Sequence, residues 1–366
     1  MKLLLKSSVI FLLSLFSNFC FAIEVTFVNP GKQGERFWDM VTETMKAAAE
    51  DFDINLEVLY AQRNRLNMTK LGVEVTQRLS PPDYLILVNE EQAAEKILQA
   101  SKGKDIRILM LLNDFLPEQQ DRIGSPANNP NLIGSIVPDN FGAGQRMMQA
   151  LQECASKKDL EKPLHMLAIG GDQLTPASID RNNGALSVIK NNPEIHLDRF
   201  LYANWNQQEA EQLTANYLQW TKRNNITPTA IWSANDPIAM GAWQAMLREG
   251  LSSNQICLVG LNWSADGLRM VKQGDMLLTD GGHFLAGAWS MVLLHDHHNK
   301  RPQNPATKLG RVSFQMQSID QHNIDQYLEK LGDENWNKIN FKGFSLKSTE
   351  KEYSFTLDRV LSLSKE

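Results

Sequence analysis

From Ile23 onward, short apolar runs alternate with stretches in which apolar residues recur every three or four positions. Ile54, Leu56, Val58 and Tyr60 alternate with polar neighbours, as a strand with one buried face requires, whereas Phe37, Val41, Met45, Ala48 and Phe52 fall on one face of a helix. Further apolar runs predict strands over 25–28, 84–88, 106–112 and 133–137, with a helix over 71–79. The rhythm resumes after Pro138-Asp139. Helices are expected over 143–154, 178–190, 209–222 and 238–247, and strands over 164–169, 200–203, 229–233 and 256–261. Strands alternating with helices specify an α/β protein, here two doubly wound parallel-sheet lobes of similar size.

Beyond Met276-Leu277-Leu278-Thr279 a further helix spans 285–297, and the chain that follows is longer than one lobe needs. The expectation is a return to the first lobe, which divides the chain into 23–138 with about 283–310, and 139–282 with about 311–345, leaving 346–366 as a tail. Stretches 124–131 and 300–307 read as loops from their Gly, Pro and Asn content, and 320–331 as a helix.

The first 22 residues read as a cleaved secretory leader: Lys2 and Lys6, an apolar run from Val9 to Leu15, then Cys20-Phe21-Ala22 at the cleavage site. Export to the periplasm follows, and Phe19 before Cys20 speaks against a lipid anchor. No later apolar run reaches the roughly 20 residues that span a bilayer, so no membrane insertion is expected after cleavage. Cleavage moves the formal net charge from −5 to about −7. An acidic chain without a basic cluster is a poor nucleic-acid binder. Cys154 closes a predicted helix and Cys257 opens a predicted strand; two buried free thiols are the default, and a bridge needs the fold to bring those ends together.

The run Ala230-Ile231-Trp232-Ser233-Ala234-Asn235-Asp236-Pro237-Ile238 carries the most chemistry. A buried strand ends in two polar side chains where a helix begins, and ligands of open α/β sheets collect outside strand carboxyl ends. Asp236 before Pro237 also suits a helix cap; one of the pair can cap while the other faces a cleft.

Five segments in order then resemble the type I periplasmic binding proteins, in particular the ribose and galactose binders: Phe37-Trp38, Val137-Pro138-Asp139-Asn140-Phe141-Gly142-Ala143-Gly144, Asp180-Arg181-Asn182-Asn183-Gly184-Ala185, Asn235-Asp236-Pro237-Ile238, and Val259-Gly260-Leu261-Asn262 leading to Gly274-Asp275-Met276. The resemblance implies two lobes joined by a three-strand hinge that close on a small polar ligand. By the same resemblance, Phe37 and Trp38 match stacking aromatics, with Trp38 the expected cleft residue because Phe37 fits the helical core stripe. Asn113 and Asp114 stand where the family often places an acid, Arg181 matches a ligand-binding arginine, and Trp205 matches an aromatic lid.

Asn262 departs from the family pattern, since sugar binders usually carry an aspartate there; an amide both donates and accepts, which alters the preferred ligand. His283, in Asp280-Gly281-Gly282-His283, stands near a usual glutamine. These features resemble the autoinducer-2 receptor branch, whose members pair with a membrane sensor. The expected partners are therefore a small polar ligand, sugar or sugar-like, and either an inner-membrane ABC permease or a membrane sensor. No cofactor is expected. The alternative from another class is an enzyme using the same cleft.

Other constellations carry less. His295-Asp296-His297-His298 ends a helix, where histidines suit the dipole and solvent, and its spacing supplies no further metal ligand. Gly170-Gly171-Asp172 lacks the Gly-Lys-Ser/Thr ending of a phosphate loop and reads as a tight turn. No nucleophile elbow or reactive cysteine motif occurs.

Overall fold

A computed structural model describes residues 22–123, 129–160, 162–299, 309–347, 350 and 352–365. The leader, most of the 124–131 loop and the 300–307 loop lie outside the described residues.

The first sheet receives β1 (Ile23–Asn29), β2 (Ile54–Tyr60), β3 (Tyr84–Leu87), β4 (Arg107–Leu111) and β5 (Leu132–Pro138). They alternate with α1 (Arg36–Asp51), α2 (Arg65–Thr76), α3 (Ala94–Ala100) and α4 (Pro117–Ile123). The chain then enters a second sheet through α5 (Asn140–Lys157), β6 (Leu164–Gly170), α6 (Pro176–Lys190), β7 (Ile195–Tyr202), α7 (Gln207–Arg223), β8 (Pro228–Ser233), α8 (Asp236–Arg248), β9 (Cys257–Leu261), α9 (Ala265–Gln273) and β10 (Leu278–Gly281). Helix α10 (Ala286–His298) returns to pack on α1; β11 (Gly310–Phe314) joins the first sheet and β12 (Gln317–Asp320) the second, before α11 (Ile324–Leu331) and α12 (Leu357–Leu363).

Among the described residues both sheets have six strands and one topology, β2-β1-β3-β4-β5-β11 and β7-β6-β8-β9-β10-β12 in spatial order. The first is wholly parallel; the second is parallel except for β12 against β10. Helices cover both faces of such a sheet, which is why β3 and β9 are apolar and buried at every position. This is the expected α/β architecture of two doubly wound lobes.

Boundaries moved for local reasons. Helix α2 begins six residues before the predicted start, because the Asn64 side chain caps it by accepting from the Asn67 N–H at 2.9 Å. Strand β7 starts at Ile195, five residues early, since its His-Leu-Asp-Arg run hides an edge strand. A strand takes 317–320, so the helix expected over 320–331 begins only at Ile324. Helices α3 and α4, seven residues each, were not expected.

Cys154 and Cys257 are joined in a disulfide spanning 103 residues, with Cα atoms 6.3 Å apart, which overturns the expectation of free thiols. Helix α5 crosses onto β9 and brings helix end and strand start together.

The region after residue 310 also differs from the expected division. Strand β11 pairs with β5 in the first lobe, while α11 lies on the second, where Gln321 donates to the Val271 carbonyl at 3.0 Å. The chain then crosses again. Trp336 donates from Nε1 to Glu43 at 3.2 Å, the Phe341 N–H to Asp51 at 2.8 Å, and Phe355 stacks on Trp289 of α10 at 4.7 Å. The expected three passages between lobes, after β5, after β10 and from β11 to β12, are thus joined by a fourth, near residues 332–335.

Candidate ligand-binding site

The carboxyl ends of the two sheets face each other across a cavity of about 170 Å³, whose wall takes residues from both lobes. This is where doubly wound sheets place ligands.

Each lobe contributes a tryptophan seated on a glycine that follows its first strand. A Cβ on Gly31, after β1, would lie 2.5 Å from the Trp38 ring, and one on Gly171, after β6, would lie 2.3 Å from Trp205. A guanidinium stands over each ring at 5.8 Å, Arg63 over Trp38 and Arg181 over Trp205. The Trp205 indole is fixed from its far edge, donating to Asp172 Oδ2 at 2.6 Å. The same carboxylate accepts from the Leu174 and Thr175 N–H groups, so Gly170-Gly171-Asp172 opens a tight turn.

Trp38, the expected cleft residue, lines the cavity, and so does Phe37, which was expected in the core stripe. Trp38 is buried in the α1 core stripe, and Phe37 is the half-exposed ring, stacked on His283 at 4.5 Å with 25° between planes. Burial first, and then the Arg181 cation, hold the His283 imidazole well below its ordinary pKa, so it is neutral.

Arg181 is placed by backbone contact. Helices α5 and α6 cross where a Cβ on Gly144 would lie 2.0 Å from the Arg181 carbonyl oxygen, and one on Gly184 would lie 2.0 Å from that of Phe141. Only glycines permit this approach, and it sets the guanidinium beside Asn140. Arg181 donates to the Ala234 carbonyl at 2.6 Å and to Asn140 Oδ1 at 2.7 Å, and its Nε has no partner among the described residues. Burial lowers its pKa to about 10, against the pull of Asp280 and Asp236.

Asn235, not Asp236, caps α8: its Oδ1 accepts from the Ile238 N–H at 2.9 Å while the residue lines the cavity. Asp236 does not line it. Fully buried, it accepts from the Ser264 N–H and hydroxyl at 3.0 and 2.7 Å and from Thr279 at 2.8 Å, and burial raises its pKa to about 6. Asn113 and Asn262 both line the cavity. Asp114 does not: it accepts from its neighbour's Phe115 N–H and from Ser135, and pairs with Arg311, holding the β4, β5 and β11 edge together.

Sequence reasoning missed a charged corner of the wall. Arg63, after β2, pairs with Glu35 and with Glu90, which follows β3. Burial opposes the Arg63 charge, but the two carboxylates more than offset it and raise its pKa. Burial, opposed by Arg63 and aided by Asp172, pushes Glu90 to about 7. The rule that pointed to Asn235 and Asn113, polar residues just past a strand, applies equally to Glu90. Asn140, also missed, stands in the Pro138-Asp139-Asn140 segment. Leu112 and Trp205 hold φ of 63° and 62°, unusual for bulky side chains and typical of binding-site turns.

His295 and His297, set aside as metal ligands, are packed otherwise: His295 stacks on Phe52 at 4.3 Å, and His297 Nδ1 bonds the Tyr84 hydroxyl at 2.8 Å.

Two like-folded lobes around one polar, aromatic-walled cavity define a two-lobed binding protein. Residues 25–301 match the family model described as a periplasmic binding protein domain. The chain belongs to the periplasmic binding protein family. It is 26% identical over 157 residues to a xylitol-binding protein of Mycolicibacterium smegmatis, covering 43% of this chain and 42% of that one. It is 32% identical over 99 residues to the D-allose-binding periplasmic protein of Escherichia coli, covering 27% and 30%. The matches thus span less than half of these curated relatives. A periplasmic sugar-binding protein from Pseudomonas fluorescens superimposes with a TM-score of 0.80 at 29% identity, covering 93% of this chain and 99% of that one. That protein's length is matched almost throughout. Among the described residues no helix is long and apolar enough to cross a membrane.

Proposed function

We propose that this chain is a periplasmic solute-binding protein, exported by its N-terminal leader, that captures one small polyhydroxylated molecule, a sugar or polyol, between its lobes. One observation carries the reading: stacking aromatics and polar groups from both lobes converge on a single cavity of monosaccharide size. A water takes roughly 10–15 Å³ of such space, so about 170 Å³ accommodates on the order of a dozen non-hydrogen atoms. Buried polar atoms on its wall, Arg181 Nε, Arg36 Nε, Trp38 Nε1 and His283 Nδ1, have no hydrogen-bond partner among the described residues. Hydroxyl oxygens supply acceptors for such donors, and Asn113, Asn235 and Asn262 add amides that suit hydroxyls in either role. The relatives named for xylitol and D-allose support the same ligand class.

The ligand joins the lobes, and closure is favoured by the difference between its affinities for the closed and open forms. The closed form is presented to an ABC permease, and the ligand is returned unchanged. The family match favours this uptake reading over a sensor's receptor for an autoinducer-2-like molecule and over an enzyme.

The test is calorimetry of the mature protein against pentoses, hexoses, polyols and autoinducer-2, with product analysis of any bound compound. A single-site sugar or polyol recovered intact supports the proposal. Selective binding of autoinducer-2 replaces uptake with sensing, and a converted ligand replaces binding with catalysis.

A further inference from the structure

We propose that His165, His196 and Asp198 form a binding site for one divalent transition-metal ion of the zinc class. The site lies at the amino ends of β6 and β7, whereas the ligand cavity opens at their carboxyl ends. At about 3.3 Å per residue, the five steps from His165 to Gly170 separate the two by roughly 17 Å.

Strand pairing creates the cluster. His165 on β6 stands opposite His196 on the edge strand β7, with ring centroids 4.9 Å apart, and Asp198, two residues on, shares the face of His196. One carboxylate oxygen, Asp198 Oδ1, meets both rings: it is 2.8 Å from His165 Nδ1 and 3.5 Å from His196 Nε2. The three potential donor atoms lie within 4.8 Å of one another. Bonds of about 2.0–2.1 Å at tetrahedral angles place zinc ligands roughly 3.4 Å apart, so small rotations of the two imidazoles suffice.

The surroundings are those of a built site. The Asp198 side chain is fully buried, His165 is 26% exposed and His196 61% exposed, so the ligands rise from a fixed floor to an open mouth where water completes the coordination. The second oxygen, Oδ2, accepts from the Tyr217 hydroxyl of α7 at 2.8 Å, the kind of outer contact that orients a ligating carboxylate. Among the described residues the ion-pair partners of Asp198 are these two imidazoles. The neighbouring Arg199 guanidinium lies over Trp220 at 4.1 Å and donates to the Asp198 main-chain carbonyl. Two imidazoles with one carboxylate suit zinc and its neighbours; magnesium and calcium prefer all-oxygen sites. A bound ion would tie the edge strand β7 to β6.

The experiment uses the mature, metal-stripped protein without a histidine tag, titrated with zinc chloride by calorimetry and followed by thermal melting, with magnesium chloride as control. One zinc per chain and a raised melting temperature are expected, with no effect of magnesium. His196→Ala, at an exposed position, is expected to keep the metal-free melting temperature and lose at least tenfold in zinc affinity. Asp198→Asn adds a stronger lesion if it folds; His196→Ala decides the matter if it does not. Absence of zinc binding, equal binding by His196→Ala, or an equal response to magnesium each overturns the proposal.

Discussion

The side-chain oxygen of Asn113, at the end of β4 in the first lobe, accepts a 2.9 Å hydrogen bond from the main-chain N–H of Ala177, in the first turn of α6 in the second. It joins the lobes beside the cavity, and that N–H belongs to the free first turn of a helix, which has no acceptor within its own helix. If the lobes close on ligand as proposed, this bond belongs to the closed form. Asn113→Ala is therefore expected to weaken ligand binding by about fivefold to tenfold, the net worth of roughly one hydrogen bond. Calorimetry on wild type and variant checks this, and equal affinities would remove Asn113 from the closing mechanism.

Arg181 makes charge-assisted bonds to the Ala234 carbonyl and Asn140, and among the described residues its Nε is unpartnered. If that guanidinium holds the ligand, Arg181→Ala costs about 1.5–3 kcal/mol of binding, a tenfold to hundredfold loss. Circular dichroism should show an unchanged fold. Undiminished affinity in a folded variant contradicts the assignment.

The same alanine substitution should act differently in the two halves of the site. Trp38 is buried against Gly31, so Gly31→Ala overpacks a core and is expected to destabilise the protein by about 1–3 kcal/mol. Trp205 is half-exposed, so in Gly171→Ala the ring can swing away, breaking its bond to Asp172. Little stability should be lost there, but affinity and tryptophan fluorescence should change. Urea unfolding and ligand titration of both variants separate these outcomes; a strongly destabilised Gly171→Ala would mean that Trp205 is a structural residue.

How far the chain could be read follows from where its signals are local. Strand ends are local, so the Asn235-Asp236 pair could be placed at a cleft from the residues themselves, whereas Asn113, Arg181, Trp205, Asn262 and His283 were pointed to by the family resemblance. Which of Asn235 and Asp236 lines the cavity was not legible, because both suit a cap and the decision rests on Ser264 and Thr279, which reach Asp236 from distant segments. The Arg63, Glu35 and Glu90 corner was hidden because charges in a loop read as solvated until a second loop buries them. The aromatic residues Trp336, Phe341 and Phe355 follow no helix or strand period, so their packing on the first lobe left no pattern to find.

The Cys154–Cys257 bridge should contribute through chain entropy. Closing a loop of 103 residues corresponds to about 4–5 kcal/mol in the loop-entropy account. The Cys154→Ala, Cys257→Ala protein is expected to unfold at a clearly lower urea concentration. Because the bridge joins the last turns of α5 to the first residue of β9, at the end of that strand opposite the cavity, ligand affinity should be unchanged. An equal unfolding midpoint would show that the unfolded chain gains nothing from release of the loop.

Asp236 predicts an inverted pH dependence. Its carboxyl titrates near 3.8 when free and near 6 in the fold, because burial penalises the charge more than Ser264 and Thr279 relieve it. Between these values the folded state holds a proton that the unfolded state has released. The group's contribution to stability is therefore full below about pH 4, falls as pH rises, and is lost above about pH 6. Asp236→Asn cannot titrate. It gives up an acceptor at every pH, but it escapes the cost of ionisation. Relative to wild type, its unfolding free energy should improve by on the order of 2–3 kcal/mol between pH 4 and pH 7, at about 1.4 kcal/mol per unit. Comparing the two proteins at both pH values cancels the shared titrations of all other groups. A difference that stays constant with pH would mean that Asp236 remains ionised throughout, and that the Ser264 and Thr279 hydrogen bonds outweigh its burial.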